Sequence, residues 1–316
     1  MFSPLIISVR DLPLSIIAET DDLLVVNKPP SLPVHACGQY AIHTVLGQLR
    51  YNHNRSGLRV LHRLDRTTSG VLLFAKNYET DIKFKTTLKD GCWSKEYVCM
   101  VEGEFPDEEI ECNEPIGVLV ITMGIQCVRP DGKPAHSRFK KIWSDGKRSV
   151  LSVSIHTGRT HQIRVHAQFL GYPIVGDQIY NSTVWGPTKG RGAEYAKSYE
   201  KVHFQVQLCE DVREAHRSSN WHETVDPDYE SRMERMASEE LEPEPEGLQS
   251  EDRPTYDPIC LNCNVVKKQV PPGHFQLYLH CLKYSTDKWS YSTPLPEWAV
   301  EPKAGADREQ SGVICS

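Results

Sequence analysis

The run His62-Arg63-Leu64-Asp65-Arg66-Thr67-Thr68-Ser69-Gly70 sets one carboxylate between two guanidinium groups and follows it with three hydroxyls. Neighbouring cations hold such a carboxyl ionised, and an ionised carboxylate serves as a nucleophile or as an electrostatic stabiliser. The same spacing suits a loop ion pair that merely ties two strands, which is the commoner use of these residues. Thr157-Gly158-Arg159-Thr160-His161-Gln162-Ile163-Arg164 is a second polar, basic run. By spacing alone Arg164 is a solvated helix arginine, and Tyr97, in a β-rich run, is a core residue. Arg63 and Arg66 fit phosphate contacts, which position a nucleic acid without reading its sequence.

Metal chemistry finds little support. His62, His161, His166 and His280 lie in unrelated segments, and their types suit hydrogen bonding that holds loops, with His62 able to touch a substrate. Cys260-x-x-Cys263 is a lone pair whose spacing to His280 and Cys281 fits no standard zinc finger, so free thiols and no metal are expected. A zinc nucleoside deaminase needs H-x-E, which the chain lacks.

The elements that must position these groups are mostly strands. Asp22–Lys28 is an apolar run stopped by Pro29 and Pro30. Val60–Leu64 and Val71–Lys76 are β-rich and bracket the polar stretch Asp65–Gly70. Tyr78–Asp90 reads as a helix ended by Gly91, and Glu96–Glu102 as a strand. Ser149–His156 alternates in the manner of a half-buried strand and leads into a helix. Thr160 is the expected N-cap of that helix, Ile163, Ala167 and Leu170 share its apolar face, and Gly171 and Pro173 end it. Phe275–Tyr284 reads as a strand or buried segment.

The chain of 316 residues is 39% apolar and 25% charged, as in an ordinary globular protein. No apolar run reaches the roughly 18–20 residues of a membrane-spanning helix, so no membrane association is expected. Met1–Ile17 lacks a basic n-region and makes a poor signal peptide, and its acidic residues argue against a transit peptide. Ten cysteines at irregular spacings predict reduced thiols in a cytoplasmic or nuclear setting rather than a mitochondrial one. The net charge of −6 is unevenly distributed: residues 1–209 carry +4 and residues 210–256 carry −10. A mildly basic body leaves room for a polyanionic partner. The acidic segment, with Glu-Pro-Glu-Pro-Glu at 242–246, is expected to be a flexible insertion and a potential protein-docking site. The organisation read from the sequence is thus an N-terminal extension (1–17), a sheet-centred α+β domain (18–209), the insertion (210–256), a part completing the domain (257–300) and a tail (301–316).

HRLDRTTSG followed by Val71-Leu72-Leu73-Phe74-Ala75-Lys76 resembles the catalytic motif of the RluA-type pseudouridine synthases. Other blocks resemble that family in the same order: LLVVNKPPSL (23–32) with Val34-His35, Lys95-Glu96-Tyr97 with Val101-Glu102-Gly103, TGRTHQIRVHAQFLGYPIVGDQIY (157–180), and Leu279-His280 with Leu282. The resemblance implies an α+β pseudouridine synthase fold, a mixed, mainly antiparallel sheet flanked by helices. It implies an isomerase that converts uridine to pseudouridine in tRNA, rRNA or mRNA without a cofactor, as a monomer. By position, Asp65 matches the catalytic aspartate, Arg164 the arginine that pairs with it, and Tyr97 the tyrosine that packs on the target base. Arg63 matches the arginine that enters the gap left by a flipped nucleotide. His62, Arg66, Thr68, Gly158, Arg159, His161 and Gln162 fall in the same blocks and are expected to bind substrate. Many relatives open with a small RNA-binding domain, for which there is no room before residue 18, so the catalytic domain is expected to capture RNA itself. The alternative is a catalytically inactive RNA-binding protein of the same fold. The presence of Asp65, Tyr97 and Arg164 together argues against a decayed site.

Overall fold

Strands with apolar residues at consecutive positions are those covered on both faces, and Leu23–Val26 and Val71–Ala75 are almost wholly buried. The computed structural model describes residues 9–10, 12–36, 43–89, 91–195, 208–212 and 276–302. Within them the chain runs β1 (Ser15–Glu19), β2 (Leu23–Lys28), α1 (Val45–Asn52), β3 (Arg59–Val60), β4 (Ser69–Ala75), α2 (Tyr78–Lys89), β5 (Ser94–Glu102) and β6 (Ile110–Cys112). It continues through β7 (Ile116–Val120), β8 (Ile125–Val128), β9 (Ser137–Ser144), β10 (Arg148–Ile155), α3 (Gln162–Leu170), β11 (Leu279–Ser285) and β12 (Ser290–Ser292).

One mixed sheet has the order β1-β2-β4-β11-β5-β10-β9-β6, with β3 added to β4 and β12 to β11, while β7 and β8 form a separate hairpin. All pairings are antiparallel except β4 with β11. A strand from near the end of the described chain therefore sits in the centre of the sheet. Its approach to β4 demands a glycine at position 70: φ is +111°, and a Cβ there would lie 2.1 Å from the Cys281 carbonyl oxygen.

Helix α3 is buried on two sides. Ile163 and Ala167 join the main core, and Val165 joins a second cluster with Ile116, Ile125, Tyr180, Trp185, Leu208 and Val212. Among the described residues no helix is long and apolar enough to cross a membrane.

Three readings change. The expected β-run Val60–Leu64 pairs only at Arg59–Val60. Beyond it the His62 Nε2 atom accepts the Leu73 N–H at 3.2 Å, so a side chain takes the place of the strand partner and the backbone is released into a loop. Thr160 is not the N-cap of α3: His161 holds that position with φ +57°, and the Gln162 side chain reaches back to accept the Arg159 N–H at 3.0 Å. Finally, residues 208–212 form a helical turn whose Leu208 and Val212 are buried, so ordered structure passes the expected boundary at 210. The rest of the acidic segment, Cys260 and Cys263, and the tail beyond 302 lie outside the described residues.

Candidate active site

The loop 61–68 closes with a turn in which Thr68 N–H donates to the Asp65 carbonyl at 3.1 Å. This turn lifts the Asp65 carboxylate towards the start of α3. Arg164 Nη1 donates to Asp65 Oδ2 at 2.9 Å, and His161 Nε2 lies 3.7 Å from the same oxygen. Among the described residues Oδ1 makes no hydrogen bond or ion pair, and 27% of the side chain stays exposed. One carboxylate oxygen is gripped and the other is open.

The grip is itself held from behind. Asp177 receives Arg164 Nε at 2.7 Å and Nη2 at 3.0 Å, and its Oδ1 also accepts the backbone N–H groups of Ile179 and Tyr180. The Arg164 guanidinium lies over the Tyr180 ring, 4.9 Å from its centre. The Tyr180 hydroxyl accepts the Gln126 N–H at 3.0 Å and sits 2.8 Å from His161 Nδ1. The Tyr180 hydroxyl thus bridges the Gln126 backbone and the far side of the His161 ring, and this contact holds Nε2 on the side of Asp65. The strained left-handed backbone at His161 is thus matched by a fixed ring.

A second cation lies beneath the loop. Lys28 is fully buried, and its Nζ donates to the carbonyls of Pro29, Leu32 and Arg66 at 2.8–3.0 Å. Burial pushes its pKa down to about 7, against the opposing pull of Asp65. For Asp65, burial works to raise the pKa, but the charges of His161, Arg164 and Lys28 outweigh it, and the carboxyl titrates below its ordinary value. Burial alone would lower the Arg164 pKa, yet Asp177 and Asp65 hold it above normal. The site keeps an anion at Asp65 at neutral pH.

Tyr97 occupies β5 opposite Cys281 and is 6% exposed, its hydroxyl 3.0 Å from that of Tyr284. Tyr284 in turn stacks on His62, ring centres 4.3 Å apart, and Trp93 meets both edge-on. Burial drives the His62 pKa down to about 3, so its ring is neutral. The structure thereby joins the expected tyrosine to the residues just before Asp65 through an aromatic layer.

The other expected site residues divide. Arg63 is exposed, Gly158 opens the loop that ends at His161, and Arg159 donates to the Pro134 carbonyl at 2.9 Å. Arg159 also borders a cavity of about 450 Å³ shared with Ile116, Arg129, Lys133 and Thr160. Thr68 is 2% exposed. Gln162, expected to bind substrate, is instead spent on the protein. Its amide joins Thr157 Oγ1, Arg159 N, the His136 carbonyl and Ser137 Oγ, which makes it a brace for the loop. The histidines assigned to loop holding behave that way: His166 bonds Ser137 and the Glu114 carbonyl, and His280 bonds Ser69 and Thr293. Lys28, Asp177, Tyr180 and Tyr284 escaped the residue-level reading. Their charge or hydroxyl amid apolar neighbours was the only available signal.

The family described as RNA pseudouridylate synthase matches residues 22–169. "RNA pseudouridine synthase 7" of Oryza sativa subsp. japonica is 32% identical over 90% of this chain and 69% of its own length. The chain belongs to the RNA pseudouridylate synthase family. Within it, the human protein "Pseudouridylate synthase RPUSD2" is 38% identical over 92% of this chain, which spans 58% of that relative's length. The solved structure of human RNA pseudouridylate synthase domain containing 4 is 19% identical, covers 90% of this chain and 89% of its own, and has a TM-score of 0.52. Membership accounts for the α+β architecture with its mixed, mostly antiparallel sheet.

Proposed function

We propose that this chain is an isomerase that converts uridine to pseudouridine in RNA, with Asp65 as its essential carboxylate. The observation that carries the reading is the asymmetric hold on Asp65: Oδ2 is fixed by Arg164, Oδ1 has no hydrogen bond among the described residues, and 27% of the side chain stays exposed. The reaction breaks the N1–C1′ bond, turns the base and joins C5 to C1′. A proton leaves C5 and one is gained at N1, so the chemistry balances without redox or group transfer. An ionised, fixed carboxylate serves each route to this product, by attack at C1′, attack at C6 or assistance in forming a glycal.

Arg164 keeps Asp65 ionised and aimed, and Tyr97 offers its ring to the target base. The exposed Arg63 is placed to enter the gap left when a stacked nucleotide is extruded, a step that costs a few kcal/mol. Arg66 and Arg159 suit phosphate contacts, and Arg159 with Lys133 at the 450 Å³ cavity fits a track for the flanking strand. We place the enzyme, as a monomer, in a reducing compartment, cytosol or nucleus. The decisive experiment maps pseudouridine across cellular RNA with the gene present, deleted, and replaced by the Asp65→Ala form. Sites lost in both altered strains support the reading and assign tRNA, rRNA or mRNA as substrate. No lost site, with RNA binding intact, would favour the inactive RNA-binding alternative.

A further inference from the structure

Two lysines of this domain are buried beside the candidate site, and they differ in one respect. Lys28 spends its ammonium on three carbonyls. Lys95 is 8% exposed as a residue, and its Nζ, at the solvent-reaching tip of a buried stem, has no hydrogen bond and no carboxylate within ion-pairing distance among the described residues. The adjacent Glu96 is committed to Lys283 across the strand pair. Buried charges are ordinarily paired. An ammonium left without an anion in a folded site is a place where an anion, or a group that becomes one, belongs.

Its surroundings identify which group. Lys95 and Tyr97 are two residues apart on β5 and share a face of the sheet. Lys95 pairs in register with Tyr284 and Tyr97 with Cys281. The bulge between Cys281 and Lys283 turns both Cys281 and Tyr284 into the core beside Tyr97. Gly158 closes the front: a Cβ there would lie 3.7 Å from the Lys95 Nζ, so the absence of a side chain leaves the ammonium uncovered. That glycine opens the loop whose far end sets His161 at 3.7 Å from Asp65. Burial and Arg159 lower the Lys95 pKa while Cys281 raises it, and Lys95 is close enough to His62 to depress the pKa of that ring. The ammonium therefore stands on the tyrosine side of the site.

We propose that Lys95 is a catalytic residue that receives the negative charge developing on the uracil carbonyl oxygens when the N1–C1′ bond breaks. The electron pair of that bond remains with the ring and spreads from N1 onto O2 and O4. C5 then supplies the pair that forms the new bond to C1′, the C5 proton leaves, and N1 takes up a proton. A preformed cation stabilises such a charge without reorganising at the moment of reaction. The inference rests on the reading of this chain as a pseudouridine synthase.

The test compares wild type, Lys95→Met, Lys95→Arg and Asp65→Ala on an RNA identified by pseudouridine mapping. It reads single-turnover rate at saturating RNA, RNA Kd at two salt concentrations, and Tm. Lys95→Met is expected to slow the single turnover on the order of a hundredfold, with Kd within twofold of wild type, Tm not lowered, and partial recovery in Lys95→Arg. Wild-type rates in Lys95→Met would overturn the proposal. So would a weakened Kd with the saturated rate intact and the salt slope reduced by about one, which would make Lys95 a phosphate contact. A fall in Tm that tracks the rate loss in both variants would make it structural. Equal product from wild type and Asp65→Ala would instead sink the synthase reading itself, and the proposal with it.

Discussion

Asp177 takes two of the Arg164 donors, Nε at 2.7 Å and Nη2 at 3.0 Å, and thereby leaves Nη1 as the one that reaches Asp65. The fork of the guanidinium converts a rigid, fully buried carboxylate into a fixed aim at an accessible one. Asp177 acts through Arg164 and is a positioning residue. Asp177→Asn keeps the shape and removes the charge, and breaking a buried pair in this way is expected to cost about 3–5 kcal/mol. Chemical denaturation measures that loss. The pH–rate profile separates it from a purely structural effect, because a freed Arg164 would shift the acid limb set by Asp65.

Asp65→Asn should abolish pseudouridine formation while leaving Tm within a few degrees of wild type. The side chain is partly exposed and contributes little packing, so loss of turnover with an unchanged melting curve is the expected pair of readings. Undiminished product from the variant would remove Asp65 from the mechanism.

Arg164→Ala strands two carboxylates at once and should be more damaging to stability than Asp65→Asn, by about 3–5 kcal/mol. Arg164→Lys should recover only part of the activity, since an ammonium cannot offer Asp177 and Asp65 a planar fork. Near-normal turnover by Arg164→Lys would show that charge alone suffices.

Acid should destabilise the fold well before the carboxylates titrate. Burial depresses the pKa of His62 to about 3 and those of His166 and His280 to about 4, whereas unfolded histidines titrate near 6.5. Between those values the unfolded chain binds more protons than the folded one, so stability falls as pH drops from about 6.5 towards 4. Urea midpoints at pH 7, 6 and 5 should decline steadily, and His166→Gln should flatten the decline. A midpoint independent of pH over that range would contradict the neutral, buried state of these rings.

Gly70→Ala should disrupt the centre of the sheet. The added Cβ meets main-chain atoms of Cys281 rather than a flexible side chain, and the positive φ adds strain. The variant is expected to be expressed poorly or to melt far below wild type, with the loss visible by circular dichroism. A soluble variant with a native melting curve would mean that β4 and β11 can separate at little cost.

By itself the sequence determined the local elements and the candidate carboxylate. Apolar runs placed β2, β4 and β5 to within a few residues, Gly171 ended α3, and the family resemblance of HRLDRTTSG, more than its residue types, singled out Asp65. Only the tertiary structure decided what surrounds that carboxylate. Arg164 lies 99 positions from Asp65; by spacing it is an ordinary helix arginine and only the family resemblance pairs the two, while the burial of α3 on two sides is what brings them together. Gln162 looked like a ligand-binding amide and became a brace, because which hydrogen bonds an amide makes depends on neighbours brought from residues 136–159. Asp177, Lys28 and Lys95 carry charges that a one-dimensional pattern assigns to the surface. Lys95 is covered by a strand that returns across more than two hundred residues to fill the middle of the sheet, and such long-range pairing leaves no local signature.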